Sequence, residues 1–401
     1  MMDASDKKVE MDSISIKNKK KVLFIIRSLQ PGGAEKVLLD TVKFLKDRYS
    51  ITVYLCYEFI DDHSSYVEEM RKLVEVRTLI KYKKGGSWIA RLPYRFNSRL
   101  TLFKWDVMTP EQVYKSALGN EEFDIMISYL EGLSTRILSG APKDKKNVFA
   151  WVHTDMNRNP WSLEDYKCQS DEQNAYRRFD KIFAVSNDVA QSIKLKYGMD
   201  AEFVQNVVDD SAIKEKGGHG CPFSKANCMQ LVAVGTHAAV KGYDRLIRAL
   251  RVMKDEGYRF QMHFVGSGKE TTALMVLRDE LDLTDDIVFE GRQSNPYPYI
   301  KNADLTICSS HAEGFSGATV ESLILGTPVL TTDCAGMKDI FGNNGFCGLI
   351  VENSDAGLIN GLRKCLSNPS YVNELAEGAK KRGADFSTEK LVRKFVQAIE
   401  Q

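Results

Sequence analysis

Twice along this chain, strand-length apolar runs alternate with segments of helical spacing, and that alternation admits few folds other than parallel α/β sheets. Residues 22–26 are wholly apolar. Ser28-Leu-Gln-Pro-Gly-Gly33 breaks the run, and residues 34–46 then set Val37, Leu38, Val42 and Leu45 on one helical face. A second apolar run at 51–57 arrives at the spacing of a βαβ unit, followed by strand candidates at 125–129, 147–152 and 181–185. The series restarts with a strand at 230–234, a helix at 243–256, a strand at 261–265 and a helix at 270–283. It continues with strands at 287–289 and 305–308, a helix at 318–325 and a strand at 328–331. Between the two series, residues 198–227 mix Asp, Lys and Gly and lose periodicity over 209–224, which places the interdomain connection there. Residues 387–401 predict a terminal amphipathic helix, with Leu391, Phe395, Val396 and Ile399 set among Glu389, Lys390, Arg393 and Lys394.

The chain's 401 residues suit two or three domains at roughly 150 residues each. Lys and Arg total 55 against 54 for Asp and Glu, a net charge of +1 that gives no general field for nucleic acid, and no nucleic-acid partner is expected. The eight cysteines show no C-x-x-C and no pairing rhythm, which suits a reducing cytoplasm. The first 21 residues are polar and lack a signal-peptide core, and no apolar run approaches the ~18 residues of a membrane span. A cytoplasmic chain is therefore expected, with any membrane contact peripheral. Residues 81–105 supply a reason for such contact. Lys81, Lys83, Lys84, Arg91, Arg95, Arg99 and Lys104 interleave with Tyr82, Trp88, Tyr94, Phe96, Phe103 and Trp105, without one acidic residue. Cations and aromatic rings in this mixture suit the headgroup layer of an anionic membrane. The same composition also suits a basic surface segment packing its rings on the domain.

Several motifs carry chemistry. Gly32 and Gly33, between a strand and a helix, would let backbone amides approach a phosphate, although a plain turn has the same signature. Val265-Gly-Ser-Gly-Lys-Glu270 repeats the pattern but completes neither G-x-G-x-x-G, since Thr271 stands in the last place, nor a P-loop. This counts against a nicotinamide-dependent oxidoreductase. Glu313 and Glu321 lie seven intervening residues apart, one in a strand-to-helix loop and one on the helix, where they can face one cleft or be ordinary surface charges. Gly314-Phe-Ser-Gly317 is a broken nucleophile elbow, because Ala318 follows where the motif needs glycine spacing and no Ser-His-Asp order supports hydrolysis. Cys308 and Cys334 fall at strand ends and read as buried small hydrophobes, and His63, His219, His263 and His311 as surface or core histidines, His311 standing two residues before Glu313.

Taken together, these blocks resemble the retaining glycosyltransferases of the GT-B fold, family 4, over nearly the whole chain. The family's E-x7-E motif is matched by Glu313-Gly-Phe-Ser-Gly-Ala-Thr-Val-Glu321, followed by Gly326-Thr-Pro-Val-Leu-Thr-Thr-Asp333 and Gly336. Val234-Gly235 with Lys241-Gly-Tyr-Asp-Arg-Leu246, Phe264-Val-Gly-Ser-Gly268 and Phe289-Glu-Gly291 match three further segments. Pro31-Gly-Gly33 and His153 are similar to the family's glycine loop and sugar-facing histidine.

The resemblance implies two Rossmann-like doubly wound domains facing a cleft: an acceptor domain at 20–208, a donor domain at 225–384, and a helix at 385–401 crossing back to the first domain. It implies a hexosyltransferase-type enzyme moving a sugar from a nucleotide-sugar, with a UDP-sugar the expected donor, to a saccharide or lipid-linked saccharide in surface polysaccharide or glycoconjugate assembly. His153, Lys241 and Glu313 take the catalytic roles, and Gly32, Gly33, Gly235, Gly266, Arg292, Phe315, Ser316, Gly317 and Glu321 the substrate-binding ones. No metal and no cofactor is expected, and peripheral contact at the inner membrane face would run through 81–105. One position departs from the family: Thr236 stands where relatives carry an arginine facing the diphosphate, leaving His237, Arg292 or the amides of Gly32 and Gly33 to compensate. An epimerase or a non-catalytic sugar-nucleotide binding protein of the same fold is the alternative.

Overall fold

The computed structural model describes residues 19–61, 66–223, 228–342 and 345–401. Within them lie two sheets. The first runs β3-β2-β1-β4-β5-β6-β7, from β1 (Lys21–Ile26), β2 (Ser50–Phe59), β3 (Glu75–Tyr82), β4 (Ile125–Ser128), β5 (Val148–Val152), β6 (Lys181–Ala184) and β7 (Glu202–Phe203). The second runs β10-β9-β8-β11-β12-β13, from β8 (Met229–Val234), β9 (Phe260–Val265), β10 (Ile287–Gly291), β11 (Leu305–Cys308), β12 (Val329–Thr332) and β13 (Gly348–Val351). Every pairing is parallel, with Val22 beside both Ile51 and Ile125 in the first sheet and Leu231 beside Met262 and Leu305 in the second. Parallel strands need crossover connections, and helices packed over both faces account for the unbroken apolar runs.

The period-2 alternation of β1 divides the first domain's core. Val22, Phe24 and Ile26 pack with Val37, Leu38 and Val42 of the helix Gly33–Leu45, whereas Leu23 and Ile25 face Trp105, Leu133 and Leu138. In the second domain Leu231 and Ala233 pack on Leu246 and Leu250 of the helix Tyr243–Asp255. Both doubly wound domains expected from the sequence are present.

The terminal helix Thr388–Glu400 leaves the second domain and buries Leu391, Phe395 and Ile399 in the core of the first. Phe395 stacks on Trp151 at 4.7 Å between centroids and lies 6.3 Å from Phe24. Glu400 accepts hydrogen bonds from Tyr49 Oη at 2.6 Å and Arg48 Nη2 at 2.7 Å. Where the two chain crossings meet, Thr388 N donates to Asp210 Oδ1 at 2.9 Å and Thr388 Oγ1 donates to Val208 O at 2.8 Å.

The stretch expected to be aperiodic, 209–224, instead carries the helix Asp210–Gly217. Asp209 Oδ1 caps it by accepting Ala212 N at 3.0 Å, and Ile213 is buried. It packs on the helices Tyr297–Asn302 and Gly317–Leu325, so closely at Gly217 that a Cβ would lie 2.6 Å from a Leu325 methyl. Eight residues with one buried apolar side chain are too short and polar to show a 3.6-residue period.

Because the terminal helix holds to the first domain through Phe395, the Phe395→Ala change is expected to cost about 3–5 kcal/mol. The midpoint of urea unfolding, followed by tryptophan fluorescence, reads this directly; a loss below about 1 kcal/mol would show that the aromatic stack does not anchor the helix.

Candidate active site

Strand order reverses between β1 and β4 in one sheet and between β8 and β11 in the other. At such points the loops leaving the carboxyl ends of neighbouring strands diverge and open a crevice. Here the crevices meet in one cavity of about 240 Å³, lined by Gly33, His153 and Asn206 from the first domain and by Lys241, Glu313 and Gly317 from the second. Gly33 opens the helix Gly33–Leu45 and Gly317 opens the helix Gly317–Leu325; a Cβ on either would meet nothing within 4 Å. Two helix N-termini therefore face the same space, each bringing free N–H groups and the positive end of a helix dipole. Phe315 lines the cavity between them, and Ser316 caps the second helix, its hydroxyl accepting Thr319 N at 3.4 Å.

Lys241 Nζ lies 2.7 Å from Glu313 Oε1. The lysine ends a short turn that Gly242 closes in the left-handed region at φ 60°, where a Cβ would come within 2.4 Å of Ser309 O. Ser309 Oγ donates to Lys241 O at 2.9 Å, and Ser310 Oγ donates to Glu313 Oε1 at 2.5 Å. Burial works to lower the Lys241 pKa, but the Glu313 charge outweighs it and leaves the ammonium above the ordinary lysine value. It stays a cation throughout the physiological range.

His153 follows β5 and is held from behind. Glu131 Oε1 accepts both His153 N and Thr154 N at 2.6 Å, which fixes the loop that carries the ring. The ring lies 5.1 Å from Tyr129, and burial pushes its pKa down to about 3, so the imidazole is neutral. Among the described residues, His153 Nε2 and Asn206 Oδ1 are buried polar atoms without a hydrogen-bond partner, and both belong to side chains lining the cavity. Burial also raises Glu131 to about 7, against the opposing effect of its backbone N–H bonds. The domains touch at this point: a Cβ on Gly314 would fall 1.7 Å from His153 O. Beyond it, Asn187 N and Nδ2 donate to the Asp339 carboxylate at 2.7 and 2.6 Å.

Glu321 pairs with a residue that sequence reasoning missed. Lys36, in the first domain, places Nζ 2.8 Å from Glu321 Oε1 and 3.8 Å from Asp40, with the ring of Tyr297 5.5 Å away. Burial lowers the Lys36 pKa, yet Glu321, with Tyr297 and Asp40, holds it well above the ordinary value. Nothing local marks Lys36; its partner lies 285 residues on.

Other expected residues stand outside the cavity lining. Gly32 sits behind Gly33, where a Cβ would collide with the Glu35 carboxylate. Gly235 and Gly266 have positive φ of 156° and 146° and let β8 and β9 end in contact, a Cβ on Gly266 falling 1.9 Å from Gly235 O. Arg292 is exposed, near enough to Tyr66 for its charge to be felt there. His237 cannot supply the charge missing at Thr236, which is itself exposed. The imidazole is fully buried and shares a 2.9 Å hydrogen bond with Thr271 Oγ1, and burial lowers its pKa. His263 is a satisfied core histidine, bonded to Glu290 at 2.7 Å and Gln230 at 3.1 Å, while His219 and His311 are exposed and His63 lies outside the described residues. Burial raises the thiols of Cys308 and Cys334, the latter to about 12, consistent with inert side chains. Among the described residues no group of three His, Cys, Asp or Glu side chains is placed to hold a metal ion.

Comparison with known proteins identifies the family and the fold. The Glycosyltransferase Family 4 model matches residues 31–212 and the Glycosyl transferases group 1 model matches residues 225–382. The chain is 24% identical over 405 residues to the N-acetylgalactosamine-N,N'-diacetylbacillosaminyl-diphospho-undecaprenol 4-alpha-N-acetylgalactosaminyltransferase of Campylobacter jejuni, covering 93% of this chain and 97% of that protein. It is 28% identical to the capsular polysaccharide biosynthesis glycosyltransferase CapM of Staphylococcus aureus over 152 residues, 37% of this chain and 40% of CapM. The crystal structure of Anabaena HepE in complex with UDP-glucose superposes with a TM-score of 0.69 at 17% identity, covering 95% of this chain and 99% of HepE. With both halves matched and the two-domain fold shared, the chain belongs to the GT-B glycosyltransferases, family 4, of the glycosyl transferases group 1.

Proposed function

We propose that this glycosyltransferase moves a sugar, with retention of anomeric configuration, from a UDP-sugar to a saccharide or lipid-linked saccharide acceptor in surface polysaccharide or glycoconjugate assembly. The observation that carries the reading is the single cavity into which two helix N-termini, Lys241 and the neutral His153 converge. Support for the donor comes from HepE, solved with UDP-glucose, and for the acceptor from the Campylobacter relative, whose name specifies a diphospho-undecaprenol saccharide.

Breaking the bond between the anomeric carbon and the β-phosphate oxygen sends its electron pair to the diphosphate, where donors fixed beforehand must receive it. Lys241 and the amides of Gly33 and Gly317 take that part, and the exposed Arg292 offers a second charge in place of Thr236. His153 Nε2 and Glu313 hold sugar hydroxyls beside Phe315, and Glu321 accepts hydrogen bonds from the ribose. Ser316 fixes the helix that carries Glu321, and Gly235 and Gly266 bring the strand ends close enough to shape the donor side. The acceptor oxygen bonds to the anomeric carbon on the face the diphosphate leaves, and its proton passes to a diphosphate oxygen. In this scheme positive side chains and helix termini meet the leaving charge, so transfer runs without a metal. Peripheral contact with an anionic membrane through 81–105, at the inner face, brings the acceptor to the first domain.

The Lys241→Met change is expected to lower kcat by roughly 10²–10³-fold, because it removes charge from the transition state. Product analysis by NMR should show the donor's anomeric configuration kept. Inverted product, or unchanged kcat in the variant, would contradict the scheme.

Protonation states give a second prediction. Glu131 titrates near 7 when folded and near the ordinary 4.5 when unfolded, so the folded chain holds a proton that the unfolded chain has released between those values. Its contribution to stability therefore falls as pH rises through that window. The Glu131→Gln variant keeps an acceptor for both backbone amides and does not ionise. It should gain on the wild type between about pH 5 and pH 8, by at most about 3 kcal/mol. A Tm difference that stays constant over that range would contradict the buried-carboxyl account.

A further inference from the structure

The basic aromatic segment is a helix, Trp88–Val107, hung on the first domain by one face only. Ser98 and Trp105 are buried, and Arg136 Nη2 donates to Trp105 O at 2.9 Å. On the opposite side Trp88, Ile89, Leu92, Phe96, Leu100, Phe103 and Val107 are exposed, Trp88, Phe96 and Phe103 by 66–68%. At about 100° per residue these seven fall within about a third of the helix circumference, directed away from the domain. They are seven of the thirteen exposed large hydrophobic side chains among the described residues. Such a stripe is not left to water without a function.

Charge decides what covers it. Arg91 and Arg95 run along one border of the stripe, Arg99 lies just inside that border and Lys104 lies on the other, with Lys81, Lys83 and Lys84 just before the helix. The helix's one acid, Asp106 in its last turn, is paired with Arg136 at 3.1 Å. A second copy of the same surface would set like charges against each other. A bilayer with anionic headgroups matches both parts, taking the apolar stripe into the acyl boundary and the guanidinium groups at the phosphates. The basic residues interrupt the apolar sequence, and no described helix is long and apolar enough to cross a membrane, so the helix lies in the plane of the surface.

The anchor is tied to the catalytic edge. Asp61 Oδ1 accepts Lys84 N at 2.9 Å, and Lys84 Nζ reaches Gln30 Oε1 at 3.4 Å, next to the Pro31-Gly32-Gly33 loop. We infer that the helix Trp88–Val107 docks in the plane of an anionic leaflet, Trp88, Phe96 and Phe103 entering the lipid, and that this docking sets the cleft edge of the first domain against the membrane. The lipid contact stands on the helix alone; the orientation toward an acceptor rests on the proposed transfer to a membrane-borne saccharide.

The test is cosedimentation of the full chain with vesicles of phosphatidylglycerol and phosphatidylcholine, against phosphatidylcholine alone, with sugar transfer to a soluble saccharide measured in parallel. Binding should require phosphatidylglycerol and weaken with salt. A Phe96→Asp, Phe103→Asp double variant should lose at least about tenfold in partitioning, and each of Arg91→Gln, Arg95→Gln and Arg99→Gln roughly fivefold. Both positions face solvent, so transfer to the soluble acceptor should be kept. Equal binding to both vesicle types, no binding, or a helix-mediated dimer with unchanged lipid affinity in the variants overturns the docking. Absent docking with intact transfer refutes this inference alone, while docking without any transfer refutes only the transferase scheme.

Discussion

Two carboxylates in a half-dry cleft need counter-charges, and the arrangement of the two domains follows from how this chain supplies them. Glu313 and Glu321 are only 10% and 12% exposed, and each is met by a lysine at 2.7 or 2.8 Å. Lys241 comes from the same domain as Glu313. Lys36 crosses from the other domain to reach Glu321, so charge pairing itself helps to hold the cleft shut. Removing one member of such a pair leaves its partner desolvated and uncompensated, which costs far more than an exposed pair contributes. Under the proposed transfer, a diphosphate would offer these lysines a doubly charged partner and ribose hydroxyls would offer Glu321 replacement hydrogen bonds, so that binding would exchange one set of polar contacts for another.

Closure also depends on places where the backbone admits no side chain. Gly314 rests on the His153 carbonyl, and Gly336, in the left-handed region at φ 79°, places a would-be Cβ 2.5 Å from Gly314 O while its N–H donates to Asp188 Oδ2 at 2.9 Å. The histidine loop, the Glu313 loop and the loop before the helix Met337–Phe341 thus form one stack of close backbone contacts between domains. Glu131 fixes its base by holding the amides of His153 and Thr154. A site built this way is shaped before substrate arrives, as electrostatic stabilisation of a leaving group requires.

Strands buried on both faces were legible in the sequence because they are unbroken apolar runs, as in 22–26. Glu313 and Glu321 were legible because their separation carries a strand-to-helix turn and about one helical turn. Lys36 was not, since its role exists only when a segment 285 residues away folds against it. Glu131 was hidden for the same reason: its partners are backbone amides on the next strand's loop. Gly235 and Gly266 show the opposite limit, because a glycine that admits a ligand and one that lets two strand ends touch leave the same mark in a sequence. The composition of 81–105 showed charge and aromaticity, but only the helix shows that the rings at 88, 96 and 103 share one outward face.

The central claim is that this cleft is made for a nucleotide-sugar, and a thermal-shift series on the full chain tests it most directly. UDP, GDP, ADP, several UDP- and GDP-sugars and NAD would be compared on the wild type and on Glu321→Gln. The account predicts a rise of several degrees with one UDP-sugar, corresponding to about 2.7 kcal/mol at a hundredfold excess over Kd, and a much smaller rise in the variant. A shift with NAD alone, or none with any nucleotide-sugar, would contradict it.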